Sequence, residues 1–414
     1  MATDYQAPRG TFDVLPADAR RRRRIEAAAA AIFVRAGYEP IATPAFEDTE
    51  LFERGVGRST DIVRKEMFTF EDKGGRSITL RPEGTAPICR AYLEHGMHKL
   101  AQPVKLHYAG SFFRHERPQA GRFRQFHQIG CEAIGTDSPL ADAEAIALLS
   151  ELLIELGVPG VELRLGSLGS PGARSAYLEE LKAHLRAHEG DLSKDVRERI
   201  EINPLRAFDA DDEGTRGVMA SAPTIVERLE GEDAEHFAEV RALLDSAGVA
   251  FTIDPTLVRG LDYYTRTIFS FVCGGLGAQS EVGGGGRYDG LIEQLGGPAT
   301  PAIGWAAGIE RILLALGEAQ EETGRDAFLA VADPSQGPRA LALASELRHA
   351  GLTAELDLAG RGLKGQLKHA DRIGARRVVI LEADGGAQLR DMESGEQRPV
   401  DPAGLVEAIG GGAA

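Results

Sequence analysis

The sequence has 414 residues, 43% of them apolar and 27% charged, which suits a globular chain of two or three domains and excludes a fibre or a disordered tail. A net charge of -16, from 63 acidic against 47 basic residues, excludes indiscriminate attraction to nucleic acid, so any polyanion must be met by a local basic surface. No apolar run is long enough for a bilayer, and the opening MATDYQAPRGTFDVLP lacks the apolar core of a signal peptide. Cys89, Cys131 and Cys273 stand in no CxxC or CxxH spacing, so neither a disulfide framework nor a structural zinc is expected; the chain reads as a cytoplasmic protein.

The composition predicts a first helix over 18–36, with Asp18 as N-cap and Gly37 ending it. Five consecutive arginines, Arg20 to Arg24, point all around such a helix, so the run reads as a solvated helix start rather than a nucleic-acid contact. Pro44 then interrupts an extended apolar segment, which suits an edge or an interface because proline donates nothing to a ladder. Residues 67–70 and 77–80 flank Lys73-Gly74-Gly75 as a hairpin, and the chain leaves Leu80 through Arg81-Pro82-Glu83-Gly84 into a helix with Thr85 as N-cap.

The stretch from Phe113 to Glu132, with its approach from Val104, reads as a strand, a loop at Pro118-Gln119-Ala120-Gly121 and a second strand. A side-chain period of two puts Tyr108, Phe112, Arg114 and Glu116 on one parity, and Arg124, Phe126, Gln128, Gly130 and Glu132 on one parity of the return arm. His127, Ile129 and Cys131 fall on the other. A face carrying guanidinium, amide, carboxylate and an aromatic ring is either simply wet or suited to a nucleotide and a primary amine.

A helix follows over 140–156, and residues 170–250 carry helical composition without strand pattern, a helical insertion. Its loop Asp209 to Thr215 lacks the spaced ligands of an EF-hand. Strands resume after Phe251, and Gly283 to Gly286 read as a tight turn or a place of close packing rather than a phosphate cradle. A polar link, Glu318 to Arg325, separates a first domain, 1–325, from a second, 326–414, in which strands and helices alternate as in a small α/β domain; the closing glycines read as loose. There Arg361, Lys364, Lys368, Arg372 and Arg376 recur at three- and four-residue steps, a basic helical face that is either solvated or in contact with RNA.

No Walker loop, HExxH, serine elbow or Cys/His nucleophile pattern is present, so a nucleotide would have to be handled by arginines on a sheet. The candidates are Arg114, Arg122, Arg259, bounded by Leu257, Val258 and Gly260, and Arg311, which follows the small residues of GWAAGIE and would otherwise pair with Glu310 or another carboxylate. Three segments together resemble the three motifs of class II aminoacyl-tRNA synthetases: the proline-bearing segment at Pro44, the FRHE–loop–FRQFHQ arms, and GWAAGIER. LVRGLDYYT at 257–265, GGGGRYDGL at 283–291 and RGLKGQLKHADRIGA at 361–375 narrow the likeness to the histidyl-tRNA synthetase family, from about Gly10 into the C-terminal domain.

The resemblance implies an α/β (α+β) architecture: an antiparallel-sheet catalytic domain with the helical insertion, followed by an α/β anticodon-binding domain. It implies activation of L-histidine by ATP and transfer of histidine to the 3' end of tRNA(His), by a homodimer. Arg114, Arg259 and Arg311 would be catalytic; Arg114, Glu116, Arg122, Phe126 and Arg311 would bind ATP, with Mg2+ arriving on the nucleotide and no metal held by the protein. Histidine would meet Glu83, Thr85, Arg114, Gln128, Glu132, Arg259, Tyr263 and Tyr264, and Arg117, Gln119 and Arg124 would approach the tRNA end. The alternative is a histidine-binding regulatory subunit of ATP phosphoribosyltransferase, a paralogue type that typically lacks the active-site residues and the last domain.

Overall fold

A computed structural model describes residues 5–57, 60–318 and 324–410. Compact units separate after Glu318; most of the link to Arg325, and the last four residues, lie outside the described residues. In the first unit the strands are β1 (Glu39–Pro40), β2 (Phe46–Asp48), β3 (Phe68–Glu71), β4 (Ser77–Leu80), β5 (Val104–Phe113) and β6 (Gln125–Ile134). They continue as β7 (Val161–Ser167), β8 (Thr252–Ile253), β9 (Thr265–Cys273), β10 (Glu281–Arg287) and β11 (Ala302–Gly308). Eight of them form one sheet in the order β1-β5-β6-β11-β10-β9-β7-β8, antiparallel except at its two edges, and β2-β4-β3 form a small sheet that contains the predicted hairpin.

The large sheet has two unlike faces. Ile129, Cys131, Phe269, Phe271 and Trp305 turn into a core closed by the helices Pro16–Arg35, Pro139–Glu155 and Gly231–Ser246, through Ile32, Phe33, Ile146, Leu149 and Val240. The opposite parity of β6, with Phe126, Gln128, Gly130 and Glu132, faces the other way. Close strand packing requires the glycines of β10: a Cβ on Gly285 would lie 2.0 Å from the Gly304 carbonyl oxygen. Gly283 to Gly286 are thus the middle of a strand, not a tight turn.

Helices account for the elements between Pro171 and Ser246, in line with the expected insertion. Its acidic loop has a local role, for the Asp212 side chain accepts the Thr215 N–H at 2.8 Å and caps the helix Glu213–Met219. The first helix starts two residues earlier than predicted, because Pro16 occupies its first turn; Leu15 is the N-cap and Asp18 lies inside the first turn. From the arginine run, Arg21 donates to the Gly317 carbonyl at 2.5 Å, satisfying the end of the helix Ile309–Leu316. Pro44 lies between β1 and β2 rather than within a strand.

The second unit holds β12 (Arg325–Val331), β13 (Ala354–Leu356), β14 (Ala375–Leu381), β15 (Ala387–Asp391) and β16 (Gln397–Pro399), ordered β13-β12-β14-β15-β16. The first three are parallel and the last two form an antiparallel extension. Its basic helix spans Leu363–Arg372, so Lys364, Lys368 and Arg372 share it, but Arg361 precedes it, held by Asp357, and Arg376 stands on β14 beside Asp326. Gly374, at φ 67°, ends the helix before Arg376 can join that face.

Candidate active site

Strands β5 and β6 pair in a register that sets Tyr108 opposite Gly130, Gly110 opposite Gln128 and Phe112 opposite Phe126. Their shared face floors a cleft of about 760 Å³. Of the residues expected at the site, Glu83, Thr85, Arg114, Glu116, Arg122, Phe126, Gln128, Arg259, Tyr263, Tyr264 and Arg311 line it. Glu132 does not; it is wholly buried behind the wall.

At one end the cleft is built from guanidinium groups around a carboxylate. Arg114 donates to the Pro82 carbonyl at 2.9 Å, lies 3.7 Å from Glu116, and covers the Phe126 ring at 5.4 Å. Arg122 pairs with the same Glu116. Arg311 does not take Glu310 as its partner. It donates to the carbonyls of Glu281, at 2.8 Å, and Gly121, at 3.3 Å, while Glu310 accepts from the backbone and ring nitrogens of His127, the ring contact being 2.7 Å. Burial lowers the Arg311 pKa, against the pull of Glu281.

At the other end, carboxylates and hydroxyls gather at the start of the helix Thr85–Glu94. Thr85 is not the N-cap; Glu83 supplies that function from two residues upstream, accepting the N–H of Thr85 at 2.8 Å and of Ala86 at 3.0 Å. Burial raises the Glu83 pKa, and these two N–H groups oppose the rise. The Thr85 hydroxyl donates to Glu132 at 2.9 Å and Tyr288 donates to the other oxygen at 2.6 Å. Burial, countered by those two hydrogen bonds, leaves the Glu132 carboxyl at about 8. Gln128, which lines the cleft, has a buried carbonyl oxygen with no hydrogen-bond partner.

Arg259 bridges the two ends. It donates to Glu281 at 2.5 Å, and Ser270 donates to the same oxygen at 3.0 Å. Its burial works against the charge, but Glu281 and Tyr264 hold its pKa above the ordinary arginine value; its Nε has no partner. Tyr263 and Tyr264 pack with ring centroids 4.7 Å apart, and the Tyr263 hydroxyl reaches Glu83 at 3.4 Å. Glu281 and Tyr288 were absent from the sequence expectations. Only their adjacency to the glycine run hinted at them, since strand pairing is what delivers them.

The structure divides the three residues expected to approach RNA. Arg117 and Gln119 are exposed on the loop between β5 and β6, which closes by mutual backbone bonds of Gln119 and Arg122 at 3.0 and 2.9 Å. Arg124 is half-buried and braces that loop, donating to the carbonyls of Glu116 and Arg9 while its N–H meets the Gly10 carbonyl.

A family model described as Histidyl-tRNA synthetase matches residues 10–312, and one described as Anticodon binding domain matches 326–411. The chain is 49% identical to the histidine–tRNA ligase of Rubrobacter xylanophilus, over 98% of this chain and 100% of that one. It is similar to the crystal structure of apo S. aureus histidyl-tRNA synthetase, with TM-score 0.82, 37% identity, and coverage of 98% and 99%. A Bacillus halodurans chain titled ATP phosphoribosyltransferase regulatory subunit/histidyl-tRNA synthetase shares the fold, with TM-score 0.69 and 23% identity over 92% of this chain and 100% of that one. An arginine-lined cleft on an antiparallel sheet, followed by an anticodon-binding domain, is the organisation of an aminoacyl-tRNA synthetase. Within that class the chain belongs to the histidyl-tRNA synthetase family.

Proposed function

We propose that the chain activates L-histidine with ATP to histidyl-adenylate, releasing pyrophosphate, and passes histidine to the 3' end of tRNA(His). The observation that carries this reading is the convergence of Arg114, Arg259 and Arg311 with Thr85 and the unpartnered Gln128 carbonyl in one cleft. Activation joins a carboxylate oxygen to the α-phosphorus and breaks its bond to pyrophosphate, so negative charge spreads over phosphate oxygens. Fixed guanidinium groups offset that charge without reorganising. Arg114 bridges the carboxylate and the α-phosphate, Arg259 opposes it, and Arg311 takes the distal phosphates. Phe126 stacks on adenine, and Glu116 and Arg122 bind the same half of ATP.

Thr85, Gln128 and, through Thr85, Glu132 receive the histidine ammonium, and Glu83, Tyr263 and Tyr264 surround the imidazole. Magnesium enters as the counter-ion of the triphosphate. Arg117 and Gln119 face the acceptor end, with Arg124 as their brace, and the second domain, 326–414, reads the anticodon with Lys364, Lys368 and Arg372.

A homodimer is supported by the small sheet, where register places Phe46, Phe68, Phe70, Ile78 and Leu80 on one face and leaves Phe46 and Phe70 exposed at 52% and 47%. No described helix is long and apolar enough to cross a membrane, in keeping with a cytoplasmic site of action. The regulatory-subunit alternative predicts histidine binding without aminoacylation. Charging of tRNA(His) with labelled histidine separates the two: ATP-dependent acid-precipitable label is expected, and histidine binding with no label at any enzyme concentration would favour the regulatory role.

A further inference from the structure

The wall of the cleft contains a hydroxyl with no task in the scheme above. Tyr108 lies on β5 directly across from Gly130, on the face that carries Gln128 and Glu132 to either side of that glycine. Because Gly130 has no side chain, the tip of the ring covers it: a Cβ there would lie 2.5 Å from the hydroxyl oxygen. Gly84 makes the other side of the slot, where a Cβ would lie 2.8 Å from the ring and 3.0 Å from the same oxygen. The ring is thus clamped between two glycines, with its polar end between the loop before the helix Thr85–Glu94 and the middle of β6.

Tyr108 is 8% exposed, lines the cleft, and its hydroxyl has no hydrogen-bond partner. The acids around it are engaged elsewhere: Glu83 with the N–H groups of Thr85 and Ala86, and Glu132 with Thr85 and Tyr288. On the same face, Gln128 likewise presents a buried carbonyl oxygen without a partner. Buried tyrosine hydroxyls and amides ordinarily find partners within the protein. Two acceptors left over on one face of the sheet, in a cleft also lined by Glu83 and Thr85, match a ligand group that brings several N–H donors and a positive charge.

We propose that Tyr108 is a further substrate-contacting residue, whose hydroxyl oxygen accepts one N–H of the α-ammonium of the bound amino acid while Gln128 and Thr85 accept the other two. This rests on the reading of the cleft as the amino-acid site, and it adds to that reading the third acceptor a tetrahedral ammonium needs. The ammonium would favour the charged form of Glu132 behind Thr85, and the glycines at 84 and 130 fix the ring so that the hydroxyl is in place before the ligand arrives.

Tyr108→Phe removes only the hydroxyl. The empty variant is expected to melt at or above the temperature of the unaltered protein, since it loses no hydrogen bond. Its affinity for histidine, by titration calorimetry, is expected to fall about tenfold, with affinity for ATP unchanged. Imidazolepropionate, which lacks the ammonium, is expected to bind both proteins equally. Histidine affinity within twofold of the unaltered protein would overturn the proposal, and so would an equal loss for imidazolepropionate, which would assign the effect to the shape of the pocket. An unaltered protein that binds no histidine would overturn the reading of the cleft itself, a result distinct from either.

Discussion

Arg287, buried, and Arg259, partly buried, both belong to the first unit, yet they are equipped oppositely. Arg287, on β10, is 0% exposed and fully engaged: it donates to Asp142 and to Asp289 at 2.8 Å each, and to the Thr136 carbonyl at 2.9 Å. Asp142 also pairs with the His236 ring at 2.8 Å, tying two helices to the sheet. Arg259 has one carboxylate partner, Glu281, and an Nε with none. A buried charge whose donors are all used fixes architecture; one left with a free donor beside a cleft is held for a ligand.

The largest effect that tests this contrast is on the satisfied cluster. Asp142→Ala leaves Arg287 buried without its main counter-charge, so urea unfolding is expected to show a loss of about 3–5 kcal/mol, with turnover per folded molecule near normal. A stable variant that had lost turnover would erase the distinction. Next comes Arg259→Ala, expected to lower the rate of ATP–pyrophosphate exchange by about 10²–10³-fold, with a smaller shift of the urea midpoint than Asp142→Ala. An unchanged rate would remove Arg259 from the chemistry.

A subtler probe is pH. The Glu132 carboxyl sits at about 8, above the unfolded value of roughly 4.3. Its contribution to stability is therefore complete below about pH 4 and is lost as pH rises through about 8. Glu132→Gln is expected to flatten that slope, as read from thermal melts across the range. An identical slope in the variant would place the titration elsewhere. The smallest effects are expected where water already satisfies the side chains: Lys364→Ala and Lys368→Ala, both exposed, are expected to raise KM for tRNA about two- to fivefold each and to leave exchange untouched. A change in exchange would mean that these lysines act on the first unit.

Local period and turn chemistry made much of this legible in advance. The parity of Phe126, Gln128, Gly130 and Glu132 survives intact, because β6 runs straight through all four with one face in the core. Arg259 and Arg311 stand out as candidates from their own surroundings, but nothing in LVRGLDYYT or GWAAGIER alone says that both line one cleft; only the resemblance joins them. Glu281 escaped because its meaning comes from Arg259, 22 residues earlier, and from the pairing of β9 with β10. The surroundings of Arg311 are set at the same long range: Glu310, its sequence neighbour, turns to His127, 183 residues away. At the basic helix a one-residue feature decided the outcome, Gly374 stopping the turn that would have carried Arg376 onto the face of Lys364 and Lys368.

The central claim is that this cleft adenylates one amino acid. ATP–pyrophosphate exchange with each of the twenty amino acids in turn tests it most directly. Exchange with histidine and with no other at comparable concentration is the predicted result, because a site that hydrogen-bonds an imidazole leaves its polar groups unpaired against any other side chain of that size. Exchange with none of the twenty, from protein that is folded and saturated with ATP and magnesium, would contradict it.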